Sequence, residues 1–258
     1  MRITKTELNA MPRQQRAAFV NSLSGFKPAN LVGSIDAQGR TNLAVMSSVV
    51  HLGSDPALLA LVIRPGGEDR HTLHNILETQ AFSINHVTGD IIDAAHQTAA
   101  RYPRHVCEFA ATGLTPLWAD GFSAPLVEQA SVKLGLTLRE HQELAINGTH
   151  LVIGEIVFAD LDPGWLNPAG GVDLHRAGTV ALSGLDTYHA APPLKRMAYA
   201  KTQLPPRELA LHGAADLDDN STSATQSLRF PQTRDAASAA ADNSQFDAQP
   251  FAKTGDMQ

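Results

Sequence analysis

The chain has 258 residues, 43% of them hydrophobic and 5% aromatic, and a formal net charge of −6. That is enough apolar content for one sizeable core or two small ones, while the lack of a basic stripe and the scarcity of aromatics argue against a nucleic-acid partner. A single cysteine, Cys107, excludes an intrachain disulfide and a thiolate metal cluster.

The opening "MRITKTELNAMPRQQRAAFV" has no continuous apolar segment of the kind a secretory signal needs. No run reaches the ~18 apolar residues of a membrane helix. A cytoplasmic protein without membrane partners is the expectation. Apolar residues at Leu8, Met11, Ala18, Phe19 and Leu23 predict one or two short amphipathic helices over residues 4–23. "NLVGSID", "AQGR" and "TNLAVMSSVVHL" then predict strand, turn and strand, with Gly39 at the turn. "ALLALVIRP" predicts a third strand covered on both faces.

"GGEDRHTLHNILETQ" changes to helical spacing, with Asp69 a candidate N-cap. "AFSINHV" returns to strand, "DIIDAAHQTAARYP" predicts a short helix stopped by Pro103, and a loop-rich passage follows. In "SVKLGLTLREHQEL", Val132, Leu134, Leu136 and Leu138 alternate with polar or small residues, so this strand has one wet face. Asn147-Gly148 signals a two-residue hairpin turn into "THLVIGEIVFADLD", where Gly154 marks a bulge or a barrel corner.

Together these elements predict a mainly antiparallel β protein with inserted helices (α+β), built on a small barrel. The expected organisation is an N-terminal helical segment (1–29), a barrel domain (30–202) and a disordered tail (203–258). The tail is rich in Ala, Ser, Asp and Gln, though Pro206–Gly213 could form a helical turn. No G-x-G-x-x-G or P-loop pattern occurs.

Ser47 and Ser48 stand side by side in an apolar strand, where an unpartnered buried hydroxyl costs roughly 1–3 kcal/mol. Hairpin pairing would bring them to Arg64, at the end of the next strand, and to Arg70, His71 and Thr72 at a helix start. Hydroxyls, positive charge and free N–H groups form a phosphate-binding inventory. Satisfaction of the serines by neighbouring backbone is the competing explanation.

The ordered motifs "NLAVMS", "SDPALL", "RHTLHNI", "FSIN", "RYPRHVCEFAATGLTP" and "HLVIGEIV" resemble the flavin reductase-like, FMN-binding split-barrel proteins, the group that includes flavoredoxin. The resemblance spans roughly residues 30–201. It departs from the family pattern where K-D-T becomes Arg70-His71-Thr72 and where D-P-P becomes Asp55-Pro56-Ala57.

This resemblance implies a split β-barrel that binds FMN at the interface of a homodimer. Asn42, Ala44, Val45 and Met46 would run along the isoalloxazine and ribityl chain. Ser47 and Ser48 would bind ribityl hydroxyls and phosphate. Arg70, His71 and Thr72 would complete the phosphate site, and Asn85 would approach the flavin from the next strand. The implied activity is hydride transfer from NADH or NADPH to flavin. The acceptors left open are free flavin, a partner monooxygenase, an iron chelate or an organic substrate.

His189, Lys195 and Arg196 are candidate donors to the reduced ring, with His189 ranked first as the catalytic residue. Three alternatives stand beside this reading. One is a non-enzymatic flavin-binding or electron-transfer protein of the same fold. Another keeps the barrel but binds haem or a pyridoxal-type phosphate. In the third, His71 and His74 belong to a metal site, although no third ligand falls at a convincing spacing, so none is assigned. Cys107, Glu108 and Phe109 are read as packing residues.

Overall fold

The computed structural model of the chain, which describes residues 1–66 and 70–211, opens on α1 (Lys5–Ala10) and α2 (Arg13–Leu23). Thr4 caps α1 in a reciprocal box with Glu7, and Pro12 separates the two helices. Neither helix buries a residue. The strands follow as β1 (Lys27–Pro28), β2 (Asn30–Ile35), β3 (Thr41–Met46), β4 (Val49–Ser54) and β5 (Ala57–Ile63). Next come α3 (His71–Thr79), β6 (Ala81–His86), a 3-10 turn (Gly89–Ile91), α4 (Ile92–Gln97) and α5 (Glu108–Thr112). The remainder is β7 (Pro116–Leu117), β8 (Leu126–Val127), β9 (Lys133–Leu144), β10 (Thr149–Asp160), β11 (Val180–Ser183), β12 (Thr187–Ala190), β13 (Arg196–Met197) and β14 (Glu208–Leu209).

Seven strands form one antiparallel sheet in the order β3-β2-β6-β9-β10-β5-β4. β3 and β4 lie at its opposite edges, yet only Ser47 and Ser48 separate them in the chain. Laid flat, seven strands would hold those edges roughly 29 Å apart. Met46 and Val49 are three peptide steps apart, a reach of at most about 11 Å. The sheet is therefore rolled until its edges approach, which makes a split barrel.

Side-chain alternation along β2 shows the two faces. Val32 enters the barrel core with Phe82, Leu136 and Val152. Leu31 enters a second core outside the sheet with Leu43, Val87, Phe109 and Leu182. That outer core is covered by α4, α5 and a three-stranded sheet in the order β1-β11-β12.

Several local expectations are modified. The long strand expected through both serines is broken at Ser47-Ser48 into β3 and β4. The strand β5 is only half-buried over much of its length, because its neighbour β4 is an exposed edge. Asn147-Gly148 closes a four-residue loop rather than a two-residue one. Leu144 pairs with Thr149, and only Gly148 of the two takes a positive φ, +68°, whereas a type I′ turn needs positive φ at both central residues.

Gly154 sits at a register shift between β9 and β10, and a Cβ there would come within 2.6 Å of the Phe82 ring. The passage read as loop contains α5, with Phe109 buried in the outer core. Glu208 and Leu209 are extended and pair with Met197 and Arg196, so among the described residues of the Pro206–Gly213 stretch no helical turn forms. Asp69 and residues 212–258 lie outside the described residues; the position preceding α3 is Arg70, which makes no side-chain capping bond. Among the described residues, no helix is long and apolar enough to cross a membrane.

Candidate functional site

The rolled sheet, α2 to α5 and the β11–β12 hairpin enclose a cleft of about 910 Å³. Its wall runs along β3 from Asn42 to Met46, through Ser47 and Ser48, into the start of β4. Arg64 follows from the end of β5, and Arg70, His71 and Thr72 from the start of α3. The structure thus brings together every predicted binding residue except Asn85.

Asn85 is fully buried. Its amide nitrogen donates to the Leu31 carbonyl (3.1 Å) and the Ser83 hydroxyl (2.9 Å), and its oxygen accepts from the Val127 N–H (2.9 Å). It ties β6 to β2 and β8, and its polar atoms are engaged away from the cleft wall. His189 is also displaced from its expected place. Its Nε2 lies 2.8 Å from the Ser183 hydroxyl and its ring packs edge-on against Phe26, centroids 4.8 Å apart. Successive strand residues face opposite ways, and on β12 it is Tyr188 that lines the cleft. Lys195 and Arg196 lie beyond that wall as well; Lys195 pairs with Glu208 at 3.7 Å.

The two serines divide between the competing explanations. Ser48 donates its hydroxyl to the Val62 carbonyl, and its own carbonyl accepts from the Val62 N–H (3.0 Å). Ser47 is partly exposed on the cleft wall and makes no hydrogen bond among the described residues. Asn42 is buried and donates to the Thr72 hydroxyl at 2.8 Å, tying β3 to the first turn of α3. Arg70 donates to the Pro65 carbonyl at 2.9 Å.

Below this corner a polar network holds the parts in place. Arg104 reaches Asp36 (3.0 Å) and Asn75 (2.9 Å), and Asn75 donates to Ser34 (3.2 Å). Burial pushes the Asp36 carboxyl up, but hydrogen bonds from the Arg40 backbone and guanidinium and from Arg104 outweigh it, holding the pKa at about 2.

β3 is an edge strand, and its outward N–H groups are capped by side chains. Leu43 N–H donates to Glu108 (3.2 Å) and Val45 N–H to Thr98 (2.8 Å). Antiparallel geometry turns the carbonyls of the same residues outward too. Burial raises the Glu108 pKa, partly offset by backbone N–H groups. Glu108 therefore packs as expected and also lines the cleft.

Lys27, which the sequence did not single out, donates to the carbonyls of Gly184 (2.6 Å) and Asn21 (3.2 Å) and lines the same cleft. Desolvation, and then repulsion from Arg64, lowers its pKa. Two cations that repel each other beside an open wall make a favourable place for an anion. Nothing in "GFKPAN" marks Lys27 for this role; only the pairing of β1 with β11 brings it there. His96, Thr98, Arg101 and Tyr102 line the wall from α4 and the loop after it, and were likewise missed. Among the described residues there is no group of three or more His, Cys, Asp or Glu side chains placed to hold a metal.

An FMN-sized ligand fits this donor set. A cleft of this volume is in the range of small-molecule sites. The cleft offers Ser47, Lys27, Arg64 and Arg70 for a phosphate, and the β3 edge offers a long, mostly apolar wall with carbonyl acceptors for a flat ring. The flavin reductase like domain family model matches residues 26–175. A split-barrel protein of the flavin-reductase type from Shewanella frigidimarina NCIMB 400 is 49% identical, with a TM-score of 0.75 over 78% of this chain and 100% of that one.

Two further solved structures share the fold. Nitrilotriacetate monooxygenase component B from Bacillus cereus is 20% identical, with a TM-score of 0.67 over 75% of this chain and 96% of its own. Flavoredoxin of Desulfovibrio vulgaris (Miyazaki F) is 23% identical, with a TM-score of 0.58 over 69% and 92% respectively. With its family match running through β1 to β10 and α3 to α5, this chain belongs to the flavin reductase like domain family.

Proposed function

We propose that the chain binds FMN in this cleft and works as an oxidoreductase that takes hydride from NADH or NADPH. The observation that carries the reading is that Ser47, Arg64, Arg70 and Lys27 line one cleft together with the β3 edge. Bound FMN would supply the hydride and electron chemistry.

The chain's own residues bind and orient. The cations and Ser47 hold the phosphate, Thr72 and Asn42 fix the corner between β3 and α3, and the outward carbonyls of Leu43 and Val45 accept from ring donors. Glu108 and Thr98 saturate the N–H groups of that edge, so the wall recognises donors rather than acceptors. Apolar Val20, Phe26 and Leu185 stand exposed on the cleft wall, which supports closure of the site by a second copy of the chain.

Reconstitution tests this reading. The purified chain should take up FMN stoichiometrically, show the visible flavin spectrum, and oxidise NADH or NADPH. Running the assay with and without added free flavin separates a resident cofactor from a released product. Absence of FMN uptake rejects the proposal, and uptake without nicotinamide oxidation moves the chain to the non-enzymatic flavin-binding reading.

A further inference from the structure

Two side chains on the cleft wall are joined to each other and have no part in the phosphate or ring contacts described above. Tyr188 reaches the cleft from β12 and His96 from the last turn of α4. The Tyr188 hydroxyl lies 3.2 Å from His96 Nδ1, with the rings edge-to-face at 5.8 Å. Tyr188 packs against the outer core, while His96 is exposed to water. The pair therefore links solvent to the cleft interior through one hydrogen bond.

Three other ionisable groups on this wall are engaged differently. Lys27 donates to two carbonyls, Glu108 accepts from the Leu43 N–H, and the Tyr102 hydroxyl accepts from Gln97 (3.2 Å). Burial raises the Tyr188 pKa, which keeps the phenol protonated and able to donate.

We propose that Tyr188 and His96 form a proton relay serving the molecule reduced in the cleft, with Tyr188 the catalytic donor and His96 the residue that recharges it. This rests on the FMN reading of the cleft. The electron pair arrives as hydride, ultimately from reduced nicotinamide, on an acceptor with a conjugated oxygen. The Tyr188 O–H bond breaks as a new O–H bond forms on that oxygen. The tyrosinate takes the Nδ1 proton of His96, and Nε2 takes one from water, leaving the other tautomer of neutral imidazole. The net uptake is one solvent proton per hydride.

The test uses FMN-loaded full-length protein with a soluble quinone as acceptor and reduced nicotinamide as donor. Tyr188→Phe should keep its melting temperature and hold FMN, with bound-flavin fluorescence brighter because a quenching phenol is gone. Its acceptor-reduction rate should fall by about 100-fold or more. His96→Ala should fall similarly and recover with added imidazole, since the site is open to solvent. A Tyr188→Phe protein that binds FMN with unchanged fluorescence and retains the wild-type rate overturns the relay alone. A wild type that takes up no FMN overturns the relay and the functional reading together.

Discussion

Ser48 is stitched to β5 through the Val62 carbonyl and N–H, whereas the hydroxyl of Ser47 stands on the cleft wall. The two neighbours should separate in experiment. Ser48→Ala removes an internal hydrogen bond and should lower stability by about 1 kcal/mol, read from urea titration, with little change in FMN affinity. Ser47→Ala should leave the urea midpoint in place. Combined with Arg70→Ala it should weaken FMN binding by roughly 1.5–3 kcal/mol for each charge-assisted hydrogen bond removed, read by fluorescence titration. An exchange of these two outcomes would reassign both hydroxyls. The dipeptide was visible in the sequence as an anomaly, but which serine faces inward depends on where the strand breaks. Asn85 teaches the same lesson. "FSIN" marked a buried polar residue correctly, yet its amide holds β2, β6 and β8 together rather than approaching a ligand.

At the scale of the element, the edge strand β3 is the critical piece, because an unpaired edge invites association with another strand. Thr98 and Glu108 cap its N–H groups from α4 and α5, which makes the two short helices part of the ligand wall as well as covers for the outer core. Its partner β2 is held by close backbone approach. A Cβ on Gly33 would lie 2.1 Å from the Pro125 carbonyl oxygen and 2.5 Å from the Ser83 hydroxyl. Backbone at that distance cannot rotate away, so Gly33→Ala should destabilise by at least about 1–3 kcal/mol. Gly53→Ala is the control, since its nearest neighbour is the Pro56 carbonyl oxygen at 3.5 Å. Equal melting temperatures for the two variants would contradict the close-packing account. Strand existence was readable from the period-2 alternation, as in β9. The four-residue loop at its end was not, because Asn-Gly chemistry permits a tight turn without compelling one.

For the whole molecule, His86 and Asp36 make stability depend on pH in two separate windows. Burial holds the His86 pKa down to about 4, against about 6.5 unfolded. The unfolded chain binds the extra proton first. Stability is therefore full above about pH 6.5 and falls toward pH 4, by roughly 3 kcal/mol. Asp36 is depressed to about 2, so its contribution is full above about pH 4 and is lost only as pH falls toward 2. Urea midpoints at pH 7, 5 and 4 should decline in the wild type and flatten in His86→Gln; an identical decline in that variant would show that another group carries the window. Local pattern alone determined the antiparallel strands and the inserted helices, because alternation and turn chemistry act over a few positions, whereas many of the residues expected to meet came from the family resemblance. Only the tertiary structure decided that Tyr188 rather than His189 faces the cleft, that Lys27 joins Arg64, and that Ser48 is spent on the backbone. Those outcomes follow from rolling a seven-stranded sheet until its first and last edges approach. That closure sums the twist and register of every strand and is written in no single segment.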